Sequence, residues 1–388
     1  KEIKYNETLI SWKCFIRNRN RENIKTVSEN DLPAIMVYSS GTTGASKGIV
    51  LMNKGINATI AHYECTGFEY ERNYTYLQII PTWFSTGAVF CLFMPLCLGV
   101  CVILEPVFSE ENFTKDILKY KPNMIMGSTS LWLHFLSNIK EKRNDLSFIT
   151  FPIAGGEKIL PQTEIELNEI LKECNCEFQL VTGYGMCELG STATAMNHKY
   201  YKYGSTGYPI KGVTVAAFDL DTNEECKFNE RGEIRVLTPA RMKEYYKRPD
   251  ATEEFFWKDS GGREWGCTGD IGYVDEDGFV WVEGRATDYF ISKSGKKIFC
   301  FDIEDVILRD EQVAQCEVLG IGGKGKGVPY AFVVGKNPGI NIDLILDRCK
   351  DSLDDESTPV KITVLDKFPV KGSGKRDMEQ LRQMVENS

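Results

Sequence analysis

The chain of 388 residues is short of histidine, has no excess of basic residues and carries no long unbroken hydrophobic run. Each shortage removes a class of function. The three histidines, His62, His134 and His198, lie far apart. With the pair in "CNC" (174–176) they make a poor zinc site, and no metal-ligand constellation is visible. Forty-six Lys and Arg against fifty-five Asp and Glu give a net charge of −9. That balance argues against nucleic acid, whose partners present basic surfaces. The one stretch that imitates a membrane span is Gly87 to Leu104, eighteen residues without a charge. That length is at the lower edge of what spans a bilayer. Pro95 and Gly99 divide it into helix-like "GAVFCLFM" and strand-like "GVCVIL", so a buried helix followed by a buried strand is expected, not a span.

Other signals are also missing. The opening "KEIKYNETLISWKCFIRNRNRENIK" is polar and charged, unlike a secretory leader. It lacks an initiating Met, so a processed, tagged or truncated start is expected. The thirteen cysteines are scattered through apolar runs. They read as small buried hydrophobes in a reducing, cytoplasmic setting. Neither an internal repeat nor a low-complexity tract is present.

What is there is a sequence of alternating elements. From Asp31 to about Gly190 strand-type runs ("AIMVYSS", "TYLQIIP", "VCVIL", "NMIMGS", "FITFPIAGG", "FQLVTGYG") alternate with helix-like segments, of which "PQTEIELNEILKEC" is the clearest. The alternation predicts an α/β fold with a mostly parallel sheet. From about Ser191 to Glu283 short strands and turns take over, with a hairpin turn at Asp275–Gly278, predicting a small β-barrel or β-sandwich. Beyond Gly284 about a hundred residues read as a compact α+β unit. The expected organisation is a lead-in at 1–30, a large domain at 31–286 (an α/β subdomain 31–190 and a β subdomain 191–286) and a small domain at 287–388.

The most informative stretch is "YSSGTTGASKG" (38–48). Small residues let backbone approach a ligand, successive N–H groups form an anion nest, and Lys47 adds a charge suited to phosphate. Apolar strand-type runs on both sides argue against a flexible linker. It is not the common P-loop, because Gly41 and Gly44 precede Lys47 and Gly48 opens a strand instead of a helix. Further polar stretches sit at strand ends: "AGGEK" (154–158), "GYGMCELG" (183–190), "CTGD" (267–270), "GRATD" (284–288) and "PVKGSGKRD" (369–377). Each alone reads as a turn with a nearby charge.

In this order the stretches resemble the adenylate-forming superfamily, which contains acyl- and aryl-CoA synthetases, luciferases and the adenylation domains of peptide synthetases. "YSSGTTGASKG" is similar to its phosphate loop, "YGMCE" to its Y-G-x-T-E segment, and "TGD" to its ribose-binding acid. "GRATDYFIS" is similar to its hinge, and "GSGKRD" to its catalytic-lysine loop. The resemblance covers residues 31–388 and implies a large domain with a small mobile C-terminal domain. It implies an AMP-forming ligase that activates a carboxylic acid with ATP and Mg²⁺ to an acyl-adenylate and passes it to coenzyme A. It also implies roles. Ser39, Ser40, Gly41, Thr42, Thr43, Gly44 and Lys47 would hold phosphates, and Glu188 would bind Mg²⁺. Tyr184 would stack on adenine beside Gly155, Gly156 and Glu157, with Gly185 and Cys187 in the same site. Asp270 would take the ribose hydroxyls, Arg285 ribose or phosphate, and Lys375 would bridge the substrate carboxylate and ATP. Trp83, Phe84, Ser85, Met126 and Gly127 are candidates for the acid pocket, the two aromatics suggesting an apolar or aromatic tail.

Departures from the family pattern bear on activity. Cys187 stands where Thr is usual, and a thiol is the weaker donor. Thr287 occupies the hinge position and Phe84 the place of a customary His. "FISKSGKKIFCFDIE" is one residue longer before its Gly than usual. The phosphate loop lies nearer the N-terminus than in full-length members, so part of the N-terminal subdomain is expected to be missing. Two alternatives stay open: an adenylation enzyme that loads a carrier protein, and a non-catalytic nucleotide-binding relative.

Overall fold

The computed structural model describes residues 29–39, 46–65, 70–105, 109–140, 144–322, 327–369 and 376–386. The largest sheet has seven strands in the spatial order Cys101–Leu104, Thr75–Gln78, Met124–Gly127, Phe151–Ala154, Val181–Tyr184, Thr194–Ala195 and Tyr208–Pro209. The first five run parallel and the last two antiparallel. Helices Glu110–Tyr120, Thr129–Lys140 and Pro161–Glu173 provide connections between the parallel strands, as parallel pairing requires. Helix Pro161–Glu173 starts with Pro in its first turn and turns Glu164, Leu167 and Leu171 inward, a spacing of three and four that puts them on one face. Glu164 is fully buried but satisfied, accepting from the Tyr201 hydroxyl at 2.5 Å and the Gly204 N–H at 2.7 Å. Burial raises its pKa, against the pull of those donors. The core beside this sheet centres on Phe113, Trp132 and Phe135, packed edge to face at 5.7–6.0 Å. The Trp132 indole N–H donates to the Ile153 carbonyl at 2.8 Å, which fixes the ring against the middle of the sheet.

Downstream, strands Thr214–Phe218, Gly232–Leu237, Phe256–Lys258, Glu264–Val274 and Val280–Arg285 form a five-stranded antiparallel sheet. The Asp275–Gly278 turn is present, with the Asp275 carboxylate accepting from the Phe279 N–H at 2.9 Å. Gly232–Leu237 pairs along one stretch of the long strand Glu264–Val274, which also carries Val280–Arg285 and Phe256–Lys258. A turn at 286–288 leads into the C-terminal unit. There helix Cys300–Ile307 and strands Val313–Ile321, Val328–Gly335 and Lys361–Leu365 enclose a core of their own. The last two strands are parallel, joined across helix Ile342–Ser352. Arg231 meets both Glu283 and Asp302, and Lys158 meets Asp305 at 2.8 Å, so charged pairs span the turn between the two units.

Several expectations change. "AIMVYSS" does not join the parallel sheet. Pro33–Tyr38 pairs antiparallel with Gly48–Met52, and Glu244–Tyr245 adds a third strand. The reason is the short connection, since strands joined by so few residues can reverse but cannot cross over. "GVCVIL" is not a buried strand. Cys101–Leu104 is the outer strand among the described residues, paired there on one side only, with Cys101 and Leu104 exposed. "GAVFCLFM" is helical and buried, but Thr86–Phe93 winds as a π-helix before a short α-turn at Met94–Cys97. The division at residue 190 is not clean either, because Thr194–Ala195 and Tyr208–Pro209 extend the large sheet. None of the described cysteines is in a disulfide, though Cys97 and Cys101 are exposed instead of buried. No described helix is long and apolar enough to cross a membrane.

The C-terminal unit contains an acidic pair that couples its stability to pH. Burial pushes the Glu304 carboxyl up to about 8, reinforced by the nearby Glu317 and Asp288 carboxylates and opposed by the Val318 N–H and Arg376. Glu317 is raised by burial too, and Arg376 holds it at 2.5 Å. A carboxyl raised on folding binds its proton more tightly in the native state. Its contribution is therefore complete below the unfolded value near 4.5 and is lost as pH rises towards 8. We expect amide-exchange protection of strands Val313–Ile321 and Val328–Gly335 to fall between pH 5 and 8, and Glu304→Gln to flatten that slope. An unchanged slope in the variant would remove Glu304 as its source.

Candidate active site

The carboxyl ends of parallel strands are where an α/β sheet leaves a crevice. Four of these ends are Gln78, Gly127, Ala154 and Tyr184, and a cavity of about 260 Å³ opens beside them. Gln78 is buried and folds the next segment around itself. Its amide donates to the Ile80 and Gly87 carbonyls at 2.9 and 2.8 Å, and its oxygen accepts from the Ile80 N–H at 3.0 Å. That wrap carries Ile80, Phe84, Thr86 and Phe90 to one wall of the cavity. The other walls come from Met126 and Ser128, from Ala154–Gly156, and from Val181–Gly185 with Ser191 and Thr192.

Two positions show why this rim needs glycine. A Cβ on Gly185 would lie 2.0 Å from the Ser191 carbonyl oxygen. Gly156 sits at φ 83° with open space where a side chain would project, leaving a bare backbone edge. Ser191 is a strained counterpart, buried at φ 136°. Such strain persists only where surrounding structure fixes it.

One side of the rim is a three-residue chain. The Tyr184 hydroxyl donates to one oxygen of Asp270, and Arg285 Nε lies 3.1 Å from the other. Asp270 and Arg285 face each other across neighbouring strands, and Arg285 also donates to the Thr268 carbonyl at 2.9 Å. Burial raises the Asp270 carboxyl, opposed by Arg285 and by the Tyr184 hydrogen bond. Burial and the Asp270 charge raise the Tyr184 phenol as well, keeping it a donor.

A second chain joins distant segments. Glu188 is buried and accepts from the Tyr245 hydroxyl at 2.7 Å. The Lys47 ammonium lies 4.5 Å from the centre of the Tyr245 ring, within cation–π range. Tyr245 belongs to the strand that pairs with Gly48–Met52, so one ring ties the end of the 38–48 loop to Glu188. The neck of that loop is closed by backbone pairing of Ser39 with Lys47 and by the Lys47 N–H donating to the Ser39 hydroxyl at 3.1 Å.

The structure thus gathers Lys47, Glu188, Tyr184, Asp270, Arg285, Gly155, Gly156 and Gly185, together with Phe84 and Met126. Ser40, Gly41, Thr42, Thr43, Gly44 and Lys375 lie outside the described residues. Others go elsewhere. Trp83 is 65% exposed and does not line the cavity. Ser85 is fully buried at the start of the π-helix, its hydroxyl without a partner among the described residues. A side chain on Gly127 would meet Phe113, Trp132 and Leu131, so that position faces the helix layer. The Glu157 carboxylate accepts from the Ser130 N–H and hydroxyl at 3.0 and 3.1 Å, at the start of helix Thr129–Lys140. Cys187 is half-buried and packs against the apolar cluster that includes Ile49, Leu51 and Leu189.

Sequence reasoning missed Tyr245, Gln78, Tyr63 and Ser191. Tyr245 stands in "KEYYKRP", where nothing marks one tyrosine over the next. Among the described residues no group of three or more His, Cys, Asp or Glu could hold a metal ion. Glu188 by itself suits Mg²⁺ that arrives on phosphate, because Mg²⁺ is commonly held by one or two carboxylates plus substrate oxygens.

The buried Glu188–Tyr245 bond is testable by itself. Tyr245→Phe leaves a buried carboxylate without its donor, which costs about 1–3 kcal/mol. In a double-mutant cycle with Glu188→Gln we expect a coupling of about 1 kcal/mol or more in urea unfolding. Additive effects would mean that the bond does not hold the two segments together.

Comparison with known proteins places the chain. Residues 4–246 match the AMP-binding enzyme family and residues 302–375 match the AMP-binding enzyme C-terminal domain. The 2-succinylbenzoate–CoA ligase of Bacillus subtilis (strain 168) is 29% identical over 365 residues, covering 92% of this chain and 70% of the relative. A long-chain-fatty-acid–CoA ligase of Salmonella typhimurium is 28% identical over 90% of this chain, and the chain spans 61% of that relative's length. Among solved structures, the o-succinylbenzoate CoA synthetase from Bacillus subtilis in complex with its acyl-adenylate intermediate superposes with a TM-score of 0.76. It is 28% identical and covers 91% of this chain, which covers 70% of it. With the family matched over more than half its length, and with the large and small units in the same order, this chain belongs to the AMP-binding, adenylate-forming enzymes.

Proposed function

We propose that the protein is an AMP-forming acid–thiol ligase: it activates a carboxylic acid with MgATP and transfers the acyl group to coenzyme A. The observation that carries this reading is the meeting, beside one apolar cavity, of the Tyr184–Asp270–Arg285 chain and the Lys47–Tyr245–Glu188 chain. The first offers an aromatic face and a buried carboxylate that can accept two hydroxyl donors, which suits a nucleoside. The second offers a cation and a hard oxygen ligand, which suits phosphate with Mg²⁺.

In the first half-reaction a carboxylate oxygen attacks the α-phosphorus of ATP. The bond to the β-phosphate oxygen breaks, and pyrophosphate leaves an acyl-adenylate. In the second, the coenzyme A thiol loses its proton and attacks the acyl carbon, and AMP departs. The first step brings an anion to a polyanion, so charge neutralisation dominates its barrier. Lys47 and the 39–48 loop supply part of it, and Lys375 from the C-terminal unit supplies the rest. Mg²⁺ bound at Glu188 would lower the charge on the phosphates. Asp270 and Arg285 hold the nucleoside, and the backbone at Gly155 and Gly156 presents a flat edge. We place the domain boundary at the 286–288 turn, about which the small unit would reorient between the half-reactions.

Pyrophosphate release from ATP is expected to depend on added acid, and thioester to form only when coenzyme A is present. Thioester formed only on a carrier protein would replace the acceptor. Lys47→Ala should weaken MgATP use with only a small effect on folding, since the half-buried side chain loses one cation–π contact worth about 0.5–1 kcal/mol and keeps its backbone pairing with Ser39. Lys375→Ala should lower pyrophosphate formation by orders of magnitude, because loss of a transition-state charge contact costs several kcal/mol. It should still convert a supplied acyl-adenylate and coenzyme A to thioester at near the parent rate. Equal loss in both assays would show that Lys375 is structural.

A further inference from the structure

The cavity beside the nucleoside site has a composition that selects among acids. Its inner walls are Ile80, Phe84, Met126, Ile153, Val181 and Met196, and no described residue that lines it carries a charge. Several of its hydroxyls are engaged within the protein. Thr182 donates to the Ser205 carbonyl at 3.0 Å, and Ser128 and Ser130 share a hydrogen bond at 2.9 Å. At about 260 Å³ it lies just below the range of about 300–1,000 Å³ usual for small-molecule sites. Behind it is a second apolar void of about 20 Å³, lined by Met94, Leu98, Met124 and Phe151. Tyr63, Phe90 and Ile153 border both spaces. The Tyr63 and Phe90 rings lie 4.8 Å apart, so they form a wall between the two.

On the ligase reading above, on which this rests, we propose that the acid is a monocarboxylate with a compact uncharged tail, an aryl ring or a medium-length alkyl chain. Phe90, backed by Tyr63, sets how deep that tail reaches. The physical reason lies in desolvation. A second carboxylate entering this cavity would leave water and meet no cation among the described lining residues, so its cost would go unrepaid. An alkyl or aryl tail gains by burial along the same walls. A long chain would meet the Phe90 ring before it was fully buried. Removing that ring joins the two spaces and lengthens the apolar channel.

The test compares kcat/KM for ATP-dependent pyrophosphate release with benzoate, phenylacetate, hexanoate, octanoate, hexadecanoate, malonate, succinate and 2-succinylbenzoate. The parent should favour the compact monocarboxylates over the dicarboxylates by a hundredfold or more. Phe90→Ala should raise the ratio of hexadecanoate to hexanoate by about tenfold or more, the scale on which a hydrophobic pocket discriminates small differences in tail size. Phe90→Leu should move it the same way by less, and serves if the alanine variant does not fold. Dicarboxylates used as well as octanoate would overturn the proposal while leaving the ligase reading intact. An unchanged chain-length ratio in both variants would overturn the role of Phe90. If no acid releases pyrophosphate, the ligase reading fails separately. Calorimetric titration of octanoate and succinate then decides the cavity's preference: tighter octanoate binding, lost on filling the cavity by Met126→Trp, supports the proposal, and equal or absent binding overturns it.

Discussion

The hydrogen bond from the Tyr245 hydroxyl to the buried Glu188 carboxylate is the contact on which the site depends. A carboxylate taken out of water needs donors, and Tyr245 supplies one from a strand remote in sequence. That strand pairs with Gly48–Met52, which leads out of the 38–48 loop, while Glu188 follows the last parallel strand of the large sheet. One bond therefore sets the loop hairpin against the crevice at the ends of the parallel strands. The Lys47 ammonium over the same ring brings a positive charge into the arrangement without an ion pair that would neutralise Glu188.

The second chain works by a similar economy of charge. Asp270 is buried enough for its carboxyl to be raised, yet Arg285 lies beside one oxygen and the Tyr184 hydroxyl binds the other. Its position is fixed by strand register, because Asp270 and Arg285 face each other on adjoining strands. Arg285 is also the last residue before the turn into the C-terminal unit. The Asp270–Arg285 pair and the turn into the C-terminal unit are thus parts of one hairpin.

Tyr184 of that chain also lines the apolar cavity, one wall of which follows from one buried amide. Gln78 uses both ends of its side chain to hold the chain from Ile80 to Gly87, which carries Phe84 to one wall, and the π-helix Thr86–Phe93 adds Phe90 to it. π-helical geometry is rare and tends to occur at functional sites. Here it accompanies an apolar run that sequence pattern can assign as a buried helix, but whose winding it cannot specify.

Order and spacing of short polar motifs were enough to read the family, the alternation of strands and helices, and several of the residues that line or border the cavity, Tyr184, Gly155, Gly156, Gly185, Phe84 and Met126 among them. These features are local: a strand end followed by glycines and one charged residue is written in consecutive residues. The strand alternation likewise announced the parallel sheet, because each strand carries its own apolar run. What the tertiary structure decided is which distant segments share a sheet or a hydrogen bond. Pro33–Tyr38 looks like its parallel neighbours in composition, and only its short return to Gly48–Met52 puts it in another sheet. Trp83, Ser85 and Gly127 sit beside true lining residues in sequence, yet backbone direction turns them to solvent, to the π-helix start and to the helix layer. Tyr245 and Tyr63 could not be singled out among seventeen tyrosines, since a phenol's role depends on the carboxylate or ring it meets. The sequence by itself determined the chemistry available, because residue type sets charge and donor capacity; the fold alone determined which groups meet, because contact is a property of packing and not of order along the chain.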